Sequence, residues 1–388
     1  MSVQLLSNVR AVTPSGVVDD ATVAMEDGVI VGVEEGRSYL GAEDGRGAYC
    51  LPGLIDSHCD AIEREISPRP TAVFDFDFAL RSLEQRFLGA GITTAYHGVR
   101  FADEGTVMRS LPSAARLVEV IAERCKEHPR LDHRVLHRVP VRSSGAMERA
   151  RACLLDGEDG RHPQLLSFED HTPGQGQYRD LGAYRAALRV SRPASDAEVD
   201  AELARQVEES RASEPVRLAN LALVRELAAS GSARVLAHDC VDEDDLDAAR
   251  ASGASVAEFP VTLDAARYAR SQGMPVVLGA PNVLLGGSHS GNVAAEAVIA
   301  AGLCTGLASD YLPSSLLAAA FDLAARGVVA LHEAIRLVTA GPAEVIGEPG
   351  RGVLEAGADA DLILVVQQGR WPVVRSVLAT REDPVPVP

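Results

Sequence analysis

Lysine is nearly absent from this 388-residue chain: Lys126 is the only one. Aromatic residues are scarce as well, at 4% with a single tryptophan. Basic side chains are few beside acidic ones, 37 Lys plus Arg against 55 Asp plus Glu, for a formal net charge of −18. Such a chain lacks the basic face that nucleic acid requires, so nucleic acid is not an expected partner. A small anionic substrate remains open, provided a local arginine or metal pocket works against the overall field. No apolar run approaches the ~18–20 residues of a membrane span, and no membrane partner is expected. The six cysteines show no CxxC pair and no disulfide-like spacing, which reads as reduced thiols. "MSVQLLSNVRAV" has no basic head, long apolar core or small-residue cleavage site. A cytoplasmic location is the expectation.

What is present divides the chain by texture. Residues 1–50 alternate or run β-branched between Gly and Asp turns, as in "ATVAMEDGVIVGVEEG", and residues 347–388 do the same in "ADLILVV" and "PVVRSVLATRE". Between them, amphipathic Ala/Glu/Arg segments alternate with short apolar runs. The runs are "GLIDSH" (53–58), "ITTAYH" (92–97), "RVLHRV" (134–139), "QLLSF" (164–168), "RVLAH" (234–238), "SVAEF" (255–259), "PVVLG" (275–279) and "CTGLAS" (304–309). Helices are expected at 75–89, 112–127, 144–154, 217–230, 243–251, 262–272, 293–301 and 313–326. Eight such repeats read as a parallel (β/α)8 barrel of the α/β class. A further polar helix is expected at 191–213, inserted before the fifth run.

A barrel of this kind carries its active site at the C-terminal ends of its strands. There the polar residues gather: His58 and Asp60 after the first run, His97 after the second, Glu169-Asp170-His171 after the fourth, His238-Asp239-Cys240 after the fifth, Ser309-Asp310 after the eighth. Side chains two apart on a strand share a face, so His58 and Asp60 point to the axis while Cys59 points to the helices. Imidazoles and carboxylates at one end of five runs read as a divalent metal site, with zinc the first expectation and manganese the second. Such an ion makes water nucleophilic near neutral pH, and Asp310 is the candidate catalytic base. The reaction class is hydrolysis at a carbonyl or phosphorus centre. "GAPNVLLGGSHSGN" (279–292) reads as a loop whose glycines admit a ligand to the backbone. Its Asn282, Ser288, His289, Ser290 and Asn292, with a helix starting near Val293, are candidate binders of an anion. Arg69, stiffened between Pro68 and Pro70, is another. "DHTPGQGQYRD" (170–180) adds Gln175, Gln177 and Arg179 near the same mouth.

"PGLIDSH", a later His pair, an eighth-run Asp and a returning "ADLILV" resemble the amidohydrolase superfamily. "HCDAIEREISPRP", "DHTPGQGQYRD", "AHDCV", "AEFPVTLDAARYAR", "GAPNVLLGGSHSGN" and "SDYLPSSLLAAAF" are similar, more narrowly, to its PhnM-type members, diphosphatases of ribose methylphosphonate triphosphate. The resemblance implies a distorted TIM barrel over 51–346 and a small β-sandwich from 1–50 plus 347–388. It implies one or two divalent ions held by His58, Asp60, His171, His238 and Asp310, attack of water at phosphorus with release of pyrophosphate, and a homo-oligomer. Three departures stand out. Lys126, in an expected helix, is badly placed to be the carboxylated lysine that bridges two metals in many superfamily members. Pro140 stands near the position where PhnM-type chains carry a glutamate. Cys240 follows His238-Asp239 where they carry a second Asp. Glu169, His97 or Cys240 is then the compensating ligand, or the centre holds one ion. Two other readings stay open: a carbon–nitrogen hydrolase (deacylase, deaminase or cyclic amidohydrolase) on this scaffold, and a non-catalytic binding paralogue.

Overall fold

The computed structural model describes residues 3–36, 39–69, 71–104, 109–127, 130–157, 164–191, 195–288 and 291–378. Strands β1 (Gln4–Thr13), β2 (Gly16–Glu26), β3 (Val29–Glu35) and β4 (Glu43–Pro52) come from the N-terminal end of the chain. The barrel strands follow: β5 (Leu54–Cys59), β6 (Ile92–Arg100), β7 (Asp132–Pro140), β8 (Leu165–Glu169), β9 (Arg234–His238), β10 (Ala254–Glu258), β11 (Val276–Gly279) and β12 (Gly306–Ala308). Strands β13 (Leu362–Gln368) and β14 (Trp371–Leu378) come last.

The terminal strands form one continuous six-stranded sheet in the order β14-β13-β4-β1-β2-β3. Chain ends far apart in sequence meet because each brings one apolar face. Leu6, Val9, Val23, Ile30 and Cys50 pack with Leu354, Leu362 and Leu364 in a core separate from the barrel's. The β4–β13 pairing, Leu51 opposite Ile363, ties the two ends together directly beside the first barrel strand.

The eight barrel strands run parallel in sequence order. Ile55, Tyr96, Leu136, Leu165, Leu236, Val256, Val277 and Ala308, one from each strand, fill the interior, and Val345 and Ile346 close it from below. The closing seam between β12 and β5 is made at two levels. At the top, Asp310 N–H donates to the His58 carbonyl at 3.0 Å and Asp60 N–H donates to the Asp310 carbonyl at 2.6 Å. Lower down, Leu337 and Val338 lie in the seam: Leu307 and Ile55 donate to their carbonyls at 2.7 and 3.1 Å. The barrel is thus nearly closed, and residues of the expected site are part of its closure.

The helices between strands start where the sequence supplies caps. Asp75, Ser110, Asp242 and Thr262 each accept a backbone N–H from the first turn of helices Phe76–Gly89, Leu111–Cys125, Glu243–Ala251 and Leu263–Ser271. One expectation needs correction and one an addition. The stretch beginning "GAPNVLLG" is not all loop: Ala280–Leu285 is a short helix, begun by Pro281 in its first turn and ended by Gly286 at φ 73°. The polar helix expected at 191–213 is present as Asp196–Ala212, and what was not expected is a first helix, Leu181–Ser191, ahead of it. The second opens on a capping box formed by Ser195 and Glu198.

Candidate metal centre

The period of the strand places the site. Two residues beyond the interior layer, Leu136, Leu165, Leu236, Val256 and Ala308 lead to Arg138, Ser167, His238, Glu258 and Asp310 on the same inward face. On β5 the step from Ile55 to His58 is three residues, which a regular strand forbids. A register irregularity between Asp56 and Cys59 accommodates it. Cys59 belongs to the outer, helix-facing core, as expected from alternation. Asp239, Phe259 and Asp310 sit at φ 59°, 53° and 56°, left-handed backbone just past the ends of three strands. Strain of that kind concentrates at functional sites.

Glu258 organises the histidines. Its Oε1 accepts from His58 Nδ1 at 2.8 Å and its Oε2 from His238 Nδ1 at 2.7 Å, with Ser167 Oγ donating to Oε2 at 2.5 Å. Burial opposes its charge, but the two imidazoles hold it well below the usual carboxylate range. An ionised carboxylate only accepts, so both Nδ1 atoms carry hydrogen and both Nε2 lone pairs face the cavity. This is the carboxylate–imidazole pairing that orients metal-bound histidines. His58 Nε2 lies 3.4 Å from Asp60 Oδ1; both atoms are buried and neither has a hydrogen-bond partner. Burial disfavours charge on His58, yet Glu258 and Asp60 outweigh it and push its pKa up to about 10. The two acids thus favour positive charge at this imidazole.

Two further carboxylates complete the arrangement. Asp310, raised by burial, has an oxygen within 4.8 Å of ligand atoms of His58 and Asp60. Glu169, His171 and His238 form a second group at the same spacing. Arg138 bridges the two acids, with Nη1 on Asp60 Oδ2 and Nη2 on Glu169 Oε2 at 2.6 Å. Arg100 pairs with Glu169 Oε1. Burial works against ionisation of Asp60, and Arg138 with His58 overcomes it, holding the carboxyl low. His171 Nε2 lies 3.2 Å from both Asp239 Oδ2 and Gln177 Nε2. Two orphaned ligand atoms, a pre-oriented imidazole pair and a converging carboxylate are the donor set of a divalent ion, so the residues fit one.

His58, Asp60, His171, His238 and Asp310 all line a single cavity of about 530 Å³ at the strand ends. Ser288 and Asn292 line it too, as does Asn282. The Asn282 amide is already engaged, donating to the Val293 carbonyl at 3.0 Å and accepting from Ala295 N–H at 2.9 Å. It therefore holds the loop rather than a ligand, and it caps the first N–H of helix Ala295–Ala300 that was expected to cradle an anion. His289 and Ser290 lie outside the described residues, as does Pro70. Arg69 is exposed, its backbone bridged to Ala72 and its carbonyl accepting from Ser67 Oγ at 3.2 Å, and it is not in the cavity wall. Gln177 reaches the cavity, whereas Gln175 and Arg179 are exposed.

Of the three candidates to replace a bridging carboxylate, Glu169 alone joins a ligand group among the described residues. His97 does not end its strand, because β6 continues to Arg100. It points outward beside Phe87, with Nε2 on His133 Nδ1 at 2.9 Å. Cys240 is buried, its thiol pushed up by desolvation, outside the cavity wall. Lys126 ends helix Leu111–Cys125. Sequence reasoning missed Glu258, Arg138, Arg100, Arg64 and Tyr178. Glu258 and Arg138 were legible in principle as charged residues on the inward face of otherwise apolar strands. Arg64 lies one turn past Asp60, on helix Ala61–Ile66.

Comparison with known proteins places this geometry. The model of the amidohydrolase family matches residues 70–369. The chain is 33% identical over 370 residues, 93% of its length and 94% of the relative's, to alpha-D-ribose 1-methylphosphonate 5-triphosphate diphosphatase of Escherichia coli K12. A triazine hydrolase variant superposes with a TM-score of 0.64 at 16% identity, covering 99% of this chain and 96% of that one. N-acetyl-D-glucosamine-6-phosphate deacetylase of Mycobacterium smegmatis gives 0.59 at 14% identity, with 98% and 99% covered. The solved structures bear on the fold alone; the family match begins past His58 and Asp60 and takes in His171, His238 and Asp310. With its imidazoles and carboxylates gathered at the C-terminal mouth of the barrel, this chain belongs to the amidohydrolase family.

Proposed function

We propose that this amidohydrolase-family hydrolase cleaves a phosphoanhydride of a phosphonate- or nucleotide-like triphosphate and releases pyrophosphate. The observation that carries the reading is the alignment with the E. coli diphosphatase, which spans 93% of this chain and so includes every strand end that feeds the cavity. The cavity adds support. Of the two arginines in its wall, Arg138 is bound to Asp60 and Glu169, while among the described residues Arg64 has only the ring of Tyr311, 5.5 Å from its guanidinium carbon. Arg64 thus offers a guanidinium to a phosphate in a cavity otherwise rich in acids. Among the described residues no helix is long and apolar enough to cross a membrane, which accords with a small solute as substrate.

His58, Asp60 and Asp310, whose ligand atoms lie within 4.8 Å of one another, would hold the divalent ion, zinc by preference for this mixed donor set. Bound there, it supplies electrophilic polarisation and a nucleophile from water at neutral pH. Glu258 keeps the two imidazoles in the tautomer that presents Nε2. Asp310 accepts a proton at its carboxylate. Arg64, Ser288 and Asn292, which line the same cavity, orient the charged chain of the substrate.

The test is product analysis. Purified protein supplied with Zn2+ or Mn2+ is expected to release pyrophosphate from alpha-D-ribose 1-methylphosphonate 5-triphosphate. Release of ammonia or amine from a panel of amides and aminopurines, without pyrophosphate from any triphosphate, would replace this reading with a carbon–nitrogen hydrolase. That second reading has one observation in its favour, 43% identity over 65 residues to adenine deaminase of Oleidesulfovibrio alaskensis, 16% of this chain and 11% of that protein. Within the first reading, Arg64→Met is expected to raise KM about tenfold with kcat nearly unchanged, the mark of lost uniform binding to a charged group.

A further inference from the structure

We propose that the centre is built for a single divalent ion, at His58, Asp60 and Asp310, and that Arg138 with Arg100 occupies the place a second cation would need. The inference rests on the metal-dependent reading above and goes beyond it, because of the three groups of potential ligands among the described residues one, His58, His238 and Glu258, is hydrogen-bonded within itself, and another, around Glu169, has a guanidinium on each oxygen of its acid. In the remaining group, His58 Nε2 and Asp60 Oδ1 are buried without partners. Arg138 takes the other oxygen of Asp60, Oδ2, and leaves Oδ1 free.

The second group, Glu169, His171 and His238, is engaged at His171 and at Glu169 Oε2, while Glu169 Oε1 is buried without a hydrogen bond and faces the Arg100 guanidinium. Glu169 Oε2 accepts from Arg138 Nη2 at 2.6 Å, and Arg100 Nη1 pairs with Oε1. His171 Nε2 is shared by Asp239 and Gln177, each at 3.2 Å. His238 Nε2 alone faces no hydrogen-bond donor, 3.4 Å from Asp239 Oδ2. Asp60 and Glu169 carry two negative charges, and Arg138 and Arg100 two positive charges that do not titrate. A second dication would have to displace a buried guanidinium from both acids and then sit beside it.

The backbone is shaped for the guanidinium. A Cβ on Gly98 of β6 would lie 2.2 Å from Asp60 Oδ1 and 3.1 Å from Arg138 Cδ, so the pair packs into room that only glycine leaves. The residues ending β7 after Arg138 are Val139 and Pro140, which offer no carboxylate to bridge two ions. Pro140 pairs in register with Glu169 itself.

The experiment loads the full-length protein with excess Zn2+, removes free ion by gel filtration and measures bound metal by mass spectrometry. The expected result is about one ion per chain, with a tightly held site keeping its ion through the column. Two ions would overturn the inference and leave the hydrolase reading intact. No retained ion in folded protein would overturn the inference; pyrophosphate release by that protein would leave the hydrolase reading standing, and its absence would remove that reading too. Loaded with Mn2+, the protein should give the six-line paramagnetic resonance signal of an isolated ion; a spin-coupled multiline signal would sink the proposal. Glu169→Gln should still bind about one ion, and its loss in a folded variant would make Glu169 a ligand. Arg138→Met, checked by circular dichroism, should admit a second ion; if folded and still limited to one, it refutes the role given to Arg138. Should it fail to fold, the Mn2+ signal and Glu169→Gln decide.

Discussion

Glu258 shows how one buried side chain sets the state of others. It was hidden in the sequence because "SVAEF" reads as an apolar strand, and a lone acid there looks like an end residue. In the structure its two oxygens fix both imidazoles of the centre. Glu258→Gln keeps the shape but can present hydrogen where each Nδ1 needs an acceptor. Metal affinity and kcat/KM are each expected to fall roughly 10–100-fold, read by competition with a chelating dye and by steady-state kinetics. His137 is a residue of the opposite kind, a neutral imidazole in the wall. Its Nδ1 donates to the Leu165 carbonyl at 3.1 Å, its ring stacks on Phe101, and burial lowers its pKa to about 4. The unfolded chain therefore binds a proton there before the native state does. Stability contributed above the ordinary histidine pKa is lost as pH falls toward 4, by about 2 kcal/mol between roughly pH 7 and pH 5 for this group. Urea unfolding of His137→Asn should show a correspondingly shallower pH dependence than wild type.

At the scale of elements, the strands were legible because each is short, apolar and bounded by turn residues. Eight runs were expected and eight pair in that order. The run "ITTAYH" was cut short, since the polar His97 and the glycine after it resemble a strand end, while β6 continues to Arg100. What decides this is the neighbour: β7 pairs with β6 from Thr94 through Arg100, so backbone hydrogen bonding carries the strand past its polar residues. Gly98 in that extension is a requirement of the element. Gly98→Ala would drive a methyl group into Asp60 and Arg138. It is expected to cost about 1–3 kcal/mol in urea unfolding, the usual range for overpacking, and to lower metal content more than Ala substitutions on the outer face of the same strand do. The helix Ala280–Leu285 was legible in principle from Pro281 and Gly286, but two glycines and a polar tail give the whole stretch the composition of a loop.

For the whole molecule, the question is how a barrel with a partly open seam keeps eight strand ends in register. Its lower end is locked by a charged cluster that no local pattern announces. Arg134 donates to Asp132 at 2.7 Å, to Tyr96 Oη at 3.0 Å and to Glu348 at 2.6 Å. Arg351 donates to Glu348 at 2.8 Å and to Thr94 Oγ1 at 3.1 Å. Glu348 thus joins the strands β6 and β7 to the segment that leads into the terminal sheet. Removing one partner of a buried pair leaves the other charged and desolvated, so Glu348→Ala is expected to cost about 3 kcal/mol in urea unfolding. Because the cluster lies at the end of the barrel opposite the cavity, kcat of the folded fraction should hardly change. A large fall in kcat would place the cluster in the working of the site.

Strand spacing and end positions pointed by themselves to an α/β barrel with imidazoles and carboxylates at one mouth, while the union of the two chain ends and the choice of His58, Asp60, His171, His238 and Asp310 as ligands came from the resemblance to the amidohydrolase superfamily. Local pattern reaches the barrel and its mouth because alternation along a strand and position at its end depend only on neighbouring residues. The tertiary structure alone decided which of the remaining polar residues meet. Arg69 fell outside the cavity, Arg64 inside it, and Arg138 between two acids 78 and 31 residues away in sequence. Those outcomes turn on side chains from different strands competing for one small, poorly solvated space, and no window of sequence contains that competition.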